Sequence, residues 1–135
     1  FGISGASLAL LLAADIPFDA ALAGVRIGRV NGEFVVFPTY DEIEESDLDL
    51  MVAGTEDALA MVEGGADGLP ESVIVDALEL AHREIRKIIA LQRQIVAEAG
   101  VTKKEFSAEP DPWPAAFAER VRSRWSEQVR EALQE

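Results

Sequence analysis

Cysteine is absent from the 135 residues, and histidine and tyrosine each occur only once. Without cysteine, this stretch can form no disulfide and offers no thiolate for catalysis or metal binding. The absence fits a reducing compartment, and we expect a cytoplasmic location. The single histidine, His82, has no second histidine or cysteine with which to build a metal site or a catalytic triad.

Positive charge is also scarce, because 12 lysines and arginines stand against 25 acidic residues and the net charge is −13. Such a surface repels nucleic-acid backbones and anionic membranes over most of its area. The apolar run at residues 8–14 is too short to span a membrane, and no positive charge precedes it as in a signal peptide. We interpret residues 3–14 as a core helix inside a longer polypeptide, with no membrane partner.

The remaining composition is that of a globular protein, 49% hydrophobic and 27% charged. Residues 23–30 alternate as a strand does, and Asn31-Gly32 predicts a tight hairpin turn into a second strand over residues 33–39. Residues 40–47 are acidic and predict either a short helix or an irregular loop. Further strands are predicted at residues 48–55 and 58–65, with a turn at 54–57 between them.

Apolar residues at helical spacing predict one long helix from Glu71 to Ala99, with Pro70 before its first turn and Gly100 at its end. At roughly 43 Å this helix is longer than a small sheet requires, so we expect its second half to leave the first domain. Residues 101–114 contain three prolines and predict a linker. A final helix is predicted over residues 115–133, with an apolar stripe that needs a partner outside its own helix: Phe117, Val121, Trp125, Val129 and Leu133.

For two further sets of residues, the glycines and the tryptophans, we favour a structural role over a functional one. We interpret Gly24, Gly28 and Gly32 as close-packing and turn positions rather than a phosphate loop. Trp113 and Trp125 are interpreted as core or interdomain anchors rather than base-stacking platforms.

The most basic face is on the long helix and comprises Arg83, Arg86, Lys87 and Arg93. A solvated face paired with Glu79 and Glu84 is favoured there over contact with RNA. The pair Lys103-Lys104 is too short to predict a nucleic-acid patch.

The motifs "GxxxGxxNGEFVxxPT", "SxLDLxVAGTxDAxxMVE" and "ALELAHREI" occur in this order and at this spacing in the chain. Over residues 1–100 the sequence resembles the polynucleotide phosphorylase family. It corresponds there to the C-terminal part of the first of two RNase PH-like domains, residues 1–99. Residues 100–135 correspond to a linker and the start of an all-helical domain. The implied fold is α+β, an antiparallel or mixed sheet with packed helices, followed by the beginning of an all-α domain.

The resemblance also implies an activity. The family degrades RNA from its 3′ end with inorganic phosphate, releases nucleoside diphosphates, uses Mg²⁺ and forms a ring-shaped homotrimer with RNA in its channel. RNA contacts and contacts with other RNA-decay proteins are expected mainly outside this segment, where KH and S1 domains follow. The first RNase PH-like domain resembles a catalytically silent copy of the second.

Asp47 and Asp49 in the stretch "SDLDLMVAGT" raise the question of a catalytic or metal-binding pair. The resemblance places an aspartate of the active second domain at Asp49, another aspartate at Ile43 and a lysine at Met51. Isoleucine cannot ligate magnesium and methionine carries no positive charge. We therefore expect no catalytic or metal site here, with Asp49 a vestigial position and Asp47 no ligand. Both aspartates are interpreted as cap, turn or interface features.

A second interpretation stays open, in which the chain is a stand-alone acidic α+β interaction module without catalysis. A segment of a larger enzyme should expose apolar surface at residues 8–12 and 117–133, whereas a complete small protein should bury it. A nucleotide site for guanosine pentaphosphate synthesis is a third idea, which these residues neither support nor exclude.

Overall fold

A four-stranded antiparallel sheet is the centre of the first part of the molecule, with strand order β2-β1-β3-β4. The strands are β1 (Ala23–Val30), β2 (Glu33–Val36), β3 (Leu48–Gly54) and β4 (Leu59–Ala66). The predicted hairpin between β1 and β2 is confirmed, because Asn31 and Gly32 both have positive φ, 51° and 85°. The computed structural model describes residues 1–107 and 113–134, so residues 108–112 of the predicted linker and Glu135 lie outside the described residues.

One face of the sheet is buried beneath the long helix α3 (Glu71–Ala99). Alternate residues of β1 (Ala23, Val25 and Ile27) are fully buried. They pack in one core with apolar residues at helical spacing on α3, which are Ala77, Ala81, Ile85 and Ile89. Each fully buried Val or Ile contributes about 1.5–3 kcal/mol to this core. Two sequence periods, 2 in the strand and 3.6 in the helix, therefore meet at one interface.

The second half of α3 stays within this part of the molecule, so the expectation that it leaves is wrong. The reason is α1 (Gly2–Leu12), which packs against α3. Gln92 is only 3% exposed. Its Nε2 donates to the carbonyls of Ser4 and Leu22 at 2.9 and 3.0 Å. α3 ends at Gly100, whose φ of 63° is the left-handed cap predicted from glycine at this position.

The chain after α3 returns to the end of α1. Lys103 Nζ donates to three backbone carbonyls, those of Leu10, Ala13 and Ile16, at 2.7, 2.8 and 3.1 Å. The last carbonyls of a helix have no partner within the helix, and α1 has no basic residue in its own last turn. Lys103, which follows α3 in the sequence, supplies the positive charge that the last turn of α1 lacks.

One predicted boundary is corrected by the structure, and one alternative is settled. The second strand ends at Val36 rather than at residue 39, because Phe37 has a φ of 55° and Pro38 follows it. The acidic segment forms a short helix, α2 (Tyr40–Glu44), rather than an irregular loop. It begins at a capping box in which Glu42 N–H donates to Thr39 Oγ1 and Thr39 N–H donates to the Glu42 carboxylate.

The chain divides into two compact units, Phe1–Glu105 and Phe106–Glu135. In the second unit, α4 (Ala115–Ala132) carries the predicted apolar stripe in an exposed state, with Trp125 47% and Val129 56% exposed. The α+β class is confirmed. Within residues 1–107 and 113–134, no helix combines the length and apolar character needed to cross a membrane.

Candidate functional site

Asp49 lies on β3 directly beside β1, and its carboxylate is bound by Arg26. Arg26 Nε donates to Oδ1 at 2.7 Å and Nη2 donates to Oδ2 at 2.6 Å, so the pair is bidentate. The register Arg26↔Met51 and Gly28↔Asp49 places the two side chains diagonally across the strand pair. Their side chains are 33% and 42% exposed. Asp49 is thus an acid whose charge is already matched by a fixed cation.

The ion pair shifts the two pKa values in opposite directions, and both shifts favour the charged form. The hydrogen bonds from Arg26 hold the pKa of the Asp49 carboxyl below its ordinary value, and partial burial opposes them less strongly. The hydrogen bonds to Asp49 raise the pKa of Arg26. Asp49 is therefore a permanent anion at neutral pH and is unsuited to general acid catalysis.

Asp47 has its own arginine, because Arg29 Nη1 donates to its Oδ2 at 2.5 Å. The backbone N–H of Asp47 also donates to the Arg29 carbonyl at 3.1 Å. Its second oxygen, Oδ1, is buried and has no hydrogen-bond partner among the described residues. Each aspartate is therefore the ion-pair partner of an arginine on β1, a role that the interpretation as cap, turn or interface features did not specify.

One of the three positions compared with the active domain, Met51, borders a surface cavity. Met51 lines this cavity of about 350 Å³ together with Arg26, Tyr40 and the stacked rings of Phe1 and Phe37, whose centroids are 5.3 Å apart. Ile43 lies on α2 and is half-buried. Within the described residues, no three His, Cys, Asp or Glu side chains form a group that could hold a metal ion.

The backbone around Asp49 is held by an unusually close approach of β4. A Cβ added to Gly64 would lie 1.9 Å from the Asp49 carbonyl oxygen, which only glycine avoids. At Gly28 an added Cβ would lie 3.2 Å from both Pro38 Cγ and Ser46 Oγ, and at Gly24 it would meet Ile3 Cδ1 at 3.0 Å. The packing interpretation of the glycines Gly24 and Gly28 is confirmed, whereas Gly64 was not singled out from the sequence.

The basic face of α3 holds the turn between β3 and β4. His82 Nε2 lies 3.2 Å from the Thr55 carbonyl oxygen, and Arg86 Nε donates to the Glu56 carbonyl at 2.9 Å. Arg93 pairs with the Glu56 carboxylate at 2.6 Å. Of the expected pairs along the helix, only Lys87–Glu84 forms, at 2.7 Å. The face is thus a set of long-range contacts rather than a helix-internal ladder.

The two tryptophans belong to the second unit and lie on or near α4. Trp113 stacks on Phe117 with ring centroids 5.2 Å apart, and Arg124 lies 5.1 Å from the Trp125 ring centroid. Both rings are exposed, by 63% and 47%. They form part of the apolar side of α4, not a core within the described residues of that unit.

The structural roles of Arg26, Arg29 and Lys103 were not predicted from the sequence. A weak signal existed for the arginines, because each interrupts an apolar strand whose neighbour carries an aspartate. Pairing them required the register between β1 and β3, which no local pattern supplies.

Residues 20–84 match the model of the 3′ exoribonuclease family, domain 2. The chain is 45% identical over 131 residues to the polyribonucleotide nucleotidyltransferase of Geobacillus kaustophilus, covering 96% of this chain and 18% of that protein. The enzymes of the same name from Halothermothrix orenii and Bacillus subtilis are 47% and 48% identical, over 97% and 76% of the chain. The resemblance seen in the motifs is confirmed. The chain spans less than a fifth of the length of these curated relatives.

Proposed function

We propose that this chain is a segment of a polyribonucleotide nucleotidyltransferase, the enzyme that degrades RNA from its 3′ end with inorganic phosphate and releases nucleoside diphosphates. The similarity over nearly the whole chain supports this assignment. The segment itself acts as a non-catalytic scaffold, which builds the ring of the full-length homotrimer and braces the catalytic domain.

The bidentate Arg26–Asp49 pair is the observation that carries the scaffold role. Phosphorolysis requires a metal on carboxylate oxygens and a cation beside the phosphate. Here both Asp49 oxygens accept hydrogen bonds from Arg26. The residues at the two other positions, Ile43 and Met51, offer neither a metal ligand nor a positive charge. This donor set does not fit Mg²⁺, and an arginine–aspartate pair that joins two strands suits a structural role.

The chemistry is therefore assigned to the part of the protein outside this segment. Mg²⁺ and inorganic phosphate serve the full-length enzyme there, and RNA binds mainly there, in the cytoplasm. Contacts with other RNA-decay proteins belong to the same proposal. None of these groups requires a ligand from Asp47 or Asp49.

The test is Asp49→Asn in the full-length protein that contains this chain. Nucleoside diphosphate release is measured from an RNA with a free 3′ hydroxyl, with Mg²⁺ and phosphate. We expect kcat to stay within about twofold of the parent protein, because a scaffold residue acts only through stability. The matched control is Glu63→Gln, which removes one charge from the adjacent strand β4, where Glu63 forms no ion pair within the described residues.

Two results would contradict the proposal. An unmodified protein that releases no nucleoside diphosphate would overturn the enzyme assignment. A loss of kcat by a hundredfold or more in Asp49→Asn, with unchanged hydrogen exchange in β1 and β3, would overturn the scaffold role, because it would place Asp49 in the reacting site.

A stand-alone interaction module is the second candidate, favoured by the burial of Leu11 in the core of the first unit. The exposed stripe of α4 counts against it, because a complete small protein should bury that surface. The intact mass of the native gene product separates the two candidates. A mass near 14.6 kDa would support the module. A mass several times larger would support the enzyme segment.

A further inference from the structure

A small basic depression lies on the exposed side of α3, away from the aspartate pairs. It has a volume of about 230 Å³ and is lined by Glu79, His82, Arg83 and Arg86. The chain as a whole carries a net charge of −13. A local site with two guanidinium groups is therefore unusual on this acidic surface. It attracts anions, although the net negative charge of the chain repels them.

The uncompensated charge of the basic face of α3 is confined to this depression. Lys87 is neutralised by Glu84, and Arg93 is neutralised by Glu56. Arg83 makes no ion pair or side-chain hydrogen bond within the described residues, although Glu79 lies one helical turn before it. Arg86 donates only to a neutral carbonyl, that of Glu56. Neither guanidinium group is paired with a carboxylate within the described residues.

Arg86 is also held in a fixed orientation. Its Nε is bound by the Glu56 carbonyl at 2.9 Å, and His82 Nε2 contacts the neighbouring Thr55 carbonyl at 3.2 Å. These contacts anchor the turn between β3 and β4 to α3, and they leave the two Nη groups of Arg86 for another ligand. A guanidinium that is already ordered loses less side-chain entropy when it binds.

We propose that Arg83 and Arg86 form a binding site for a phosphate group. Guanidinium groups match phosphate oxygens in shape and charge, and two of them three residues apart on a helix project from the same face. Glu79 lines the same depression and offsets part of the charge. Binding is therefore weak, salt-sensitive and limited to groups as anionic as phosphate.

The phosphate belongs either to an RNA backbone or to a free phosphate ion. The RNA source rests on the proposed function, whereas the site itself does not. Arginine footprinting on the full-length protein separates the sources, because mass spectrometry follows the modification of Arg83 by phenylglyoxal peptide by peptide. Arg122 on α4, 69% exposed, is the internal reference.

Protection of Arg83 but not Arg122 by an RNA oligonucleotide in phosphate-free buffer would support an RNA backbone site. Protection by inorganic phosphate alone would support a free-phosphate site, and the variant Arg86→Gln should abolish it. Equal modification of Arg83 with and without either probe would overturn the proposal.

A second measurement distinguishes RNA that binds Arg83 from RNA that only covers it. The salt dependence of RNA affinity is compared between Arg83→Gln and Lys87→Gln, which remove the same charge four residues apart. We expect the slope of log affinity against log salt to fall by about 0.7 in Arg83→Gln only. RNA protection with equal slopes would mean that RNA covers Arg83 without binding it, and would overturn the RNA site. Nucleoside diphosphate release from the same preparation tests the proposed function separately.

Discussion

Ser7 and Gln92 lie 85 residues apart in the chain, yet the Ser7 hydroxyl donates to Gln92 Oε1 at 3.3 Å in the buried interface between α1 and α3. Ser7 Oγ in turn accepts from the Leu22 N–H at 2.8 Å. Together with the two carbonyls that accept from Gln92 Nε2, these bonds form one satisfied polar network. This network joins α1 to α3 and to the chain before β1, in addition to the apolar contacts of α1.

We expect Gln92→Leu to weaken the attachment of α1. Leucine has a similar volume but leaves the carbonyls of Ser4 and Leu22 without their donor, at a cost of about 2–4 kcal/mol for the two groups. The opening free energy of α1, from hydrogen exchange in the full-length protein, measures the effect. The control is Gln94→Leu, because Gln94 is exposed and bonds only Glu98. Equal exchange in the two variants would contradict the role of the network.

Lys103→Met is expected to loosen the C-terminal end of α1. The ammonium is bound by three carbonyls at 2.7–3.1 Å, and bonds from a charged donor contribute about 2 kcal/mol in total after solvation. Hydrogen exchange at residues 9–14 and 101–105 should accelerate together. Lys104→Met is the control, because Lys104 pairs with Asp15 while both side chains stay 73% exposed. A similar acceleration in the control would show that charge alone, rather than the carbonyl contacts, matters.

Gly64→Ala should disturb β3 and β4, whereas Gly65→Ala should not. The Cβ of the first variant meets the Asp49 carbonyl at 1.9 Å, and the Cβ of the second meets nothing within 4 Å. Forced separation of the strands should cost about 1–3 kcal/mol, as overpacking generally does. Hydrogen exchange of the β3 and β4 amides checks this. If both variants exchange alike, β4 adjusts without strain and the prediction is wrong.

Acid should weaken the link between β1 and β3 through Asp49. The folded-state pKa of this carboxyl is lowered by Arg26, so its contribution is complete above the ordinary carboxyl pKa. It is lost as the pH falls below that value and through the lower folded-state pKa. The pKa of Arg26 is raised, which keeps the arginine charged throughout this range.

The measurement is the pH dependence of unfolding in the parent protein and in Asp49→Asn, from neutral pH into the acid range. The parent should lose more stability on acidification than the variant, and the two curves should converge at the acid end. Parallel curves over the whole range would contradict a lowered Asp49 pKa, because the variant cannot titrate at this position.

Local chemistry alone predicted most of the elements and some of their ends. Asn31-Gly32 specified the hairpin because few residue pairs accept positive φ twice, and Gly100 specified the end of α3 for the same reason. The apolar period of residues 71–99 predicted the long helix and the face that it buries. Ile43 and Met51 likewise led, by their chemistry, to the expectation that this segment holds no metal or phosphate site.

Tertiary structure decided which charged and polar side chains pair with each other. Whether Asp49 would be a ligand, a cap or half of an ion pair depended on the register that brings Arg26 beside it. Whether the second half of α3 left the fold depended on α1, whose polar contacts with Gln92 join residues about 88 apart in the chain. The residues around Lys103 in the sequence do not indicate its role. Its ammonium finds its partners only where the chain folds back onto the end of α1. Periodicity and turn chemistry are local properties of the backbone, whereas the pairing of charged and polar side chains is set by which distant surfaces fold together.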